Sequence, residues 1–308
     1  MGHFLSEVSF MGKKFSKKPT TIEEQITILQ SRGMYIPDAE HAKHFLAYCS
    51  YYRFCGYALH FEELTSSGER THRYKPDATF PAVEEIYHFD AALRRIIFHY
   101  TSLIEIDFRV TIGNESAWYY CNAHWFLDGK YFQHSDKYSN FIGLCEEEVA
   151  RSREVFIASY KRNYDTPALP PIWMLTELMP FAVWSKLYQN LSDDDLRKII
   201  AVKQGIPEKY LISWMQSLTV LRNACAHHAR IWNRNFSLAP RLSPRISRKI
   251  MRGSEKKIYV MFLIIHDMLK KINREDDFRK DIEALLKNHP AIHPKYLGIC
   301  CPIDEMFA

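Results

Sequence analysis

Leu221-Arg222-Asn223-Ala224-Cys225-Ala226-His227-His228-Ala229-Arg230-Ile231-Trp232-Asn233-Arg234 gathers five cationic or amide side chains and two imidazoles into fourteen positions. An imidazole titrates near neutrality and gives or takes a proton. A guanidinium grips phosphate through paired hydrogen bonds and stabilises charge that develops on a phosphorane. Together they suit metal-free cleavage of RNA through the ribose 2′-hydroxyl. The plainer alternative is that Arg222 and His227 cap a helix end or pair with acids, since structural networks use the same residue types. The density of the cluster favours chemistry.

A helix must carry these groups. Pro207 is placed like a first-turn proline, and Leu211, Trp214, Leu218, Leu221 and Cys225 follow at helical spacing. The spacing predicts the polar cluster on the C-terminal half of that helix, where the carbonyl end favours positive charge. Asn223 then lies beneath His227, and Asn223, His227 and Arg230 line one strip. Arg222 and His227 are five apart, about 140° around the axis, so only a bent Arg side chain reaches a shared cleft. One helix offers a half-site, which a second copy related by a twofold axis would complete.

The run Arg222-Asn223-Ala224-Cys225-Ala226-His227 resembles the R-x4-H motif of HEPN-type ribonucleases. The longer run Leu221 to Arg234 is similar to the pattern of the abortive-infection Abi family of bacterial phage-defence proteins (the AbiD/AbiF-like group). The likeness extends to Tyr51-Tyr52-Arg53-Phe54-Cys55-Gly56-Tyr57, to Tyr87–Arg109 and to Pro170-Pro171-Ile172-Trp173-Met174, and covers roughly residues 22–240. It implies a HEPN-like fold, homodimerisation and a phage-defence or toxin-like role. His227 would be general acid or base, Arg222 would stabilise the phosphorane, and Asn223 would position His227 or the scissile phosphate. His228, Arg230, Asn233 and Arg234 are secondary candidates.

Further elements can be read along the chain. Lys13, Lys14, Lys17 and Lys18 have no periodicity and predict a flexible basic tail over residues 1–20. Thr21 and Glu24 form a capping box, Arg32-Gly33 ends that helix, and Pro37-Asp38 starts another that runs to Tyr52. Arg53 among aromatics can hold phosphate while the rings stack bases, although rings at this density also pack cores. Residues 62–80 read as a loop or hairpin. Phe80-Pro81 opens a long helix whose polar side shows Asp90, Arg94, Arg95, His99, Glu105 and Arg109. Glu105 and Arg109 form either a solvated pair or a second layer that orients the motif from a facing helix. Glu146 begins a charged helix through Lys161 and Arg162. Met174–Leu191 is a helix that Pro180 kinks or restarts. The three aspartates at 193–195 serve a helix start. The Arg- and Lys-rich stretch from Pro240 to Lys257 either rails an RNA backbone or is a solvated loop. Ile258–Ile272 and Phe278–Leu286 are helices.

Composition sets the outer limits. A chain of 308 residues that is 47% hydrophobic and 14% aromatic builds a sizeable core, and eleven glycines favour helices over turn-rich β structure. A net charge of +5 allows a polyanionic partner without demanding one. Seven scattered cysteines argue for a reducing, cytoplasmic setting. No apolar run reaches membrane-span length, and Met1–Phe10 lacks a signal-peptide pattern. There is no G-x-G-x-x-G, Walker A, H-E-x-x-H or paired C-x-x-C, so no cofactor and no metal site are expected. The expectation is an all-α fold: a HEPN-like helical bundle over 81–300 with an N-terminal helical extension over 21–80, together forming a single domain. The motif and the family resemblance together imply a metal-independent endoribonuclease acting on RNA as a homodimer, with a protein or RNA inhibitor as a candidate further partner. The alternative is a non-catalytic RNA-binding or regulatory HEPN protein.

Overall fold

The structure, a computed structural model, describes Ser16 and residues 18–307. Of the expected basic tail, Lys13, Lys14 and Lys17 lie outside the described residues. Among the described residues, thirteen α-helices and one two-stranded hairpin make an all-α fold. The chain divides into two compact units, Met1–Glu84 and Glu85–Ala308.

In the first unit, α1 (Ile22–Ser31) opens on the expected capping box: the Thr21 hydroxyl accepts from the Glu24 amide, and the Glu24 carboxylate accepts from the Thr21 amide. α2 (Ala39–Cys49) is capped by Asp38 and stops sooner than its apolar spacing predicts. Ser50 takes φ 66 there, and its hydroxyl accepts from the Arg53 amide to start α3 (Tyr51–Ala58). The segment expected as loop or hairpin contains β1 (Glu62–Leu64) and β2 (Arg70–Tyr74), paired antiparallel. Phe80 opens α4 (Phe80–Tyr119), which includes the division between the units.

The second unit continues with α5 (Ser135–Arg151) and α6 (Val155–Asn163). The expected single helix from Glu146 thus begins at Ser135 and breaks at Ser152–Glu154, where the backbone turns extended. α7 (Ile172–Leu178) and α8 (Phe181–Asn190) are separated at Pro180, which cannot donate into a continuing helix. α9 (Asp194–Lys203) is capped by Asp193, which accepts from the Asp195 and Leu196 amides. α10 (Glu208–Ala226) packs on α8, α9 and α12 (Ile258–Leu269). Between the last two lies the short α11 (Pro244–Lys249), and α13 (Glu275–Asn288) packs on α12.

α12 has no polar face: eleven of its residues from Ile258 to Leu269 are buried, so it is the central rod of this unit. The chain end is docked on it, with the Phe307 ring stacked 4.9 Å from that of His266.

Candidate functional site

α10 buries Leu211, Trp214, Leu218, Leu221 and Cys225, the face that the spacing predicts. Anchoring this face in the core leaves Arg222, Asn223 and Ala226 half-buried on the other side. Burial, with the Asp90 carboxylate adding to it, pushes the Cys225 thiol up to about 12. It stays protonated at neutral pH and serves packing.

The helix ends in the middle of the motif. Ala226 is its last residue and His227 is the cap, donating its amide to the Asn223 carbonyl at 2.9 Å. His228 then takes φ 54. Its amide donates to Cys225 O at 3.1 Å, and the Ala229 amide reaches back to Ala224 O at 2.9 Å. These two bonds are the Schellman pattern, with histidine where glycine is usual. A left-handed β-carbon costs about 1 kcal/mol or more, and such strain concentrates at functional positions. The turn corrects one expectation: Arg230 lies past the helix end, so the strip Asn223–His227–Arg230 does not exist as a helical row.

Arg222 is drawn towards α4. Its Nε stands 3.2 Å from Glu105 Oε2, and the N–H points off the line to that oxygen, so the contact is ionic rather than an aligned hydrogen bond. The guanidinium lies over the Phe98 ring, 5.4 Å from its centroid, and Nη1 donates to Asn223 Oδ1 at 3.3 Å. Glu105 is 4% exposed. It also faces Arg109 at 3.8 Å, and Arg109 donates to the Met179 carbonyl at the α7–α8 break. Glu105 therefore sits buried between two guanidiniums, which removes the reading of a solvated Glu105–Arg109 pair. Beside it on α4, Ile106 and Val110 are 51% and 42% exposed.

His227 is exposed, and among the described residues its ring makes no hydrogen bond or ion pair. His228 is exposed beside it. Arg230, Asn233 and Arg234 are half-buried. Arg234 donates to the Arg230 carbonyl at 3.5 Å and lies over Phe236. Asn233, at φ 47, accepts from the Lys257 ammonium at 3.1 Å. Arg53 stands on α3 in the other unit.

Asp90 and Arg94 correct another expectation: placed by spacing on the polar side of α4, both are buried. The Asp90 carboxylate accepts from the Ile231 and Trp232 amides and pairs with Arg94. It thereby pins the chain as it leaves the His227–His228 turn. The spacing carries the signal: Asp90 directly follows Phe89 and Arg94 directly follows Leu93, so the pair, four apart, flanks the apolar stripe of α4. Among the described residues no group of three or more His, Cys, Asp or Glu side chains could hold a metal ion, and no helix is long and apolar enough to cross a membrane.

Residues 44–233, more than half of the chain, match the family model described as Abi-like protein. The chain belongs to the Abi-like protein family. The Abi-like match begins in α2 and runs to Asn233, so it takes in Arg53, Glu105, Arg109 and the motif up to Asn233, and stops before Arg234 and Lys257. No curated protein and no solved structure matches the chain.

Proposed function

We propose that this Abi-like protein is a HEPN-type endoribonuclease that acts in phage defence by abortive infection, or as a toxin. The observation that carries the reading is that one helix end presents both an uncommitted, exposed imidazole at His227 and a guanidinium at Arg222 steadied by buried Glu105. In the reaction the ribose 2′-oxygen attacks phosphorus, the P–O5′ bond breaks, and a 2′,3′-cyclic phosphate and a 5′-hydroxyl result. One proton leaves the 2′-hydroxyl and one reaches the 5′-oxygen. His227 performs one of these transfers. Arg222 offsets the charge on the phosphorane. Imidazole and guanidinium supply what this reaction needs, so it is written without a metal.

Two proton transfers want two imidazoles. A twofold partner would bring a second His227, and the exposed apolar pair Ile106 and Val110, next to Glu105 on α4, supports a homodimer contact there.

The test is incubation of the pure protein with single-stranded RNA in EDTA, with the product ends mapped. Cyclic-phosphate ends that vanish in His227→Ala, while the fold and oligomer survive, support the reading. Cleavage that persists in His227→Ala overturns it. One observation favours the second reading, an RNA-binding protein without cleavage: Glu105 already neutralises Arg222. RNA bound but never cut by the parent chain would select it.

A further inference from the structure

Lys257 lies outside the family match, and motif spacing does not single it out. It is the residue before α12, twenty-four positions beyond Asn233. In the fold its ammonium comes back to the motif and donates to Asn233 Oδ1 at 3.1 Å. The neighbouring Phe236 amide donates to the Lys256 carbonyl at 2.9 Å, which ties the two segments side by side. The stem is held as well: Gly298 faces it at φ +90, so close that a β-carbon there would meet Lys257 Cβ at 2.6 Å.

What surrounds this ammonium is unusual for a half-buried cation. Among the described residues no carboxylate comes within ion-pair distance of it. Burial lowers its pKa, and the charge of nearby Arg230 lowers it further. The Lys257 and Arg230 charges lie near each other at the C-terminal end of the motif, and Lys257 is held by Asn233 before any ligand arrives. A fixed cation loses little side-chain freedom on binding. A phosphodiester is a monoanion spaced along a strand, and it is the ligand that such a site would accept.

We propose that Lys257, positioned by Asn233 and Gly298, grips a backbone phosphate of single-stranded RNA adjacent to the scissile one. This rests on the ribonuclease reading and extends its site beyond the family match. The experiment uses the full chain carrying His227→Ala, so that RNA is bound and not cut, and follows a labelled single-stranded RNA by fluorescence anisotropy across a salt series. Lys257→Met keeps the stem and removes the charge. It is expected to weaken binding about tenfold and to reduce the log–log salt slope by about 0.7, the contribution of one single-strand phosphate contact. Lys257→Arg is expected to restore both. Unchanged affinity and slope in Lys257→Met overturn the inference and leave the nuclease reading standing. A loss that Lys257→Arg does not restore also overturns it, because charge is then not what matters. RNA that neither binds this chain nor is cut by the parent in EDTA overturns both.

Discussion

Glu105 Oε2 on α4 and Arg222 Nε on α10 meet at 3.2 Å, and this contact joins the long helix of the second unit to the motif helix. Glu105 is nearly sealed from solvent, while Arg222 keeps 27% of its side chain exposed. The carboxylate therefore fixes one edge of the guanidinium and leaves another for solvent or ligand.

Removing one charge of this pair leaves the other poorly compensated. Glu105→Gln is expected to cost about 3 kcal/mol in urea unfolding, the lower end for a buried pair because Arg222 is partly wet. Cleavage should fall together with it as Arg222 loses its orientation. A double-mutant cycle with Arg222→Gln should give a coupling of about 1–3 kcal/mol. Additive changes in the cycle would mean the two side chains act independently.

Asp90 should matter to the fold more than any other acid around the motif. Asp90→Ala removes the carboxylate that faces buried Arg94 and accepts from two buried amides, and a loss of about 3–5 kcal/mol is expected. Asp90→Asn keeps one acceptor oxygen and should lose less. Equal midpoints for the two variants in denaturant would contradict this account.

Ile106 and Val110 stand one turn apart with their side chains in solvent. If a second copy covers them, the paired variant Ile106→Glu and Val110→Glu should be monomeric at concentrations where the parent is dimeric, with an unchanged melting temperature for the monomer. Sedimentation equilibrium distinguishes the two. A parent that is monomeric throughout removes the dimer from the mechanism.

Acid should loosen the second unit through Asp267. Burial by itself raises this carboxyl, but His266, Lys270 and Arg245 outweigh burial and hold it down at about 2. Lys270 lies 2.9 Å away, and Arg245, its other partner, also donates to the Phe307 carbonyl near the chain end. A carboxyl with a depressed folded pKa stabilises above its unfolded pKa, near 4, and loses that contribution as pH falls towards 2. About 2 kcal/mol is at stake. Urea midpoints at pH 5 and pH 2.5 should differ less in Asp267→Asn than in the parent.

Local chemistry was enough to place several helix starts and stops. Thr21 with Glu24, Asp38, Asp193 and the pause at Pro180 are start and stop signals that act within one turn of the chain, and each operates where its residue type predicts. The buried stripe of α10 was legible for the same reason, because a helical period converts spacing directly into a face. The end of α10 was not. His227 and His228 carry no glycine or proline signal, and the left-handed turn at His228 accompanies anchoring at Asp90, which precedes Trp232 by 142 positions. The same holds for Lys257, which reads as one more cation in a basic run until Asn233 and Gly298 hold it beside the motif. Periodicity and capping are interactions between near neighbours, so composition and order encode them. Which distant carboxylate faces which guanidinium depends on how whole helices pack, and only the packed core of the second unit decided that.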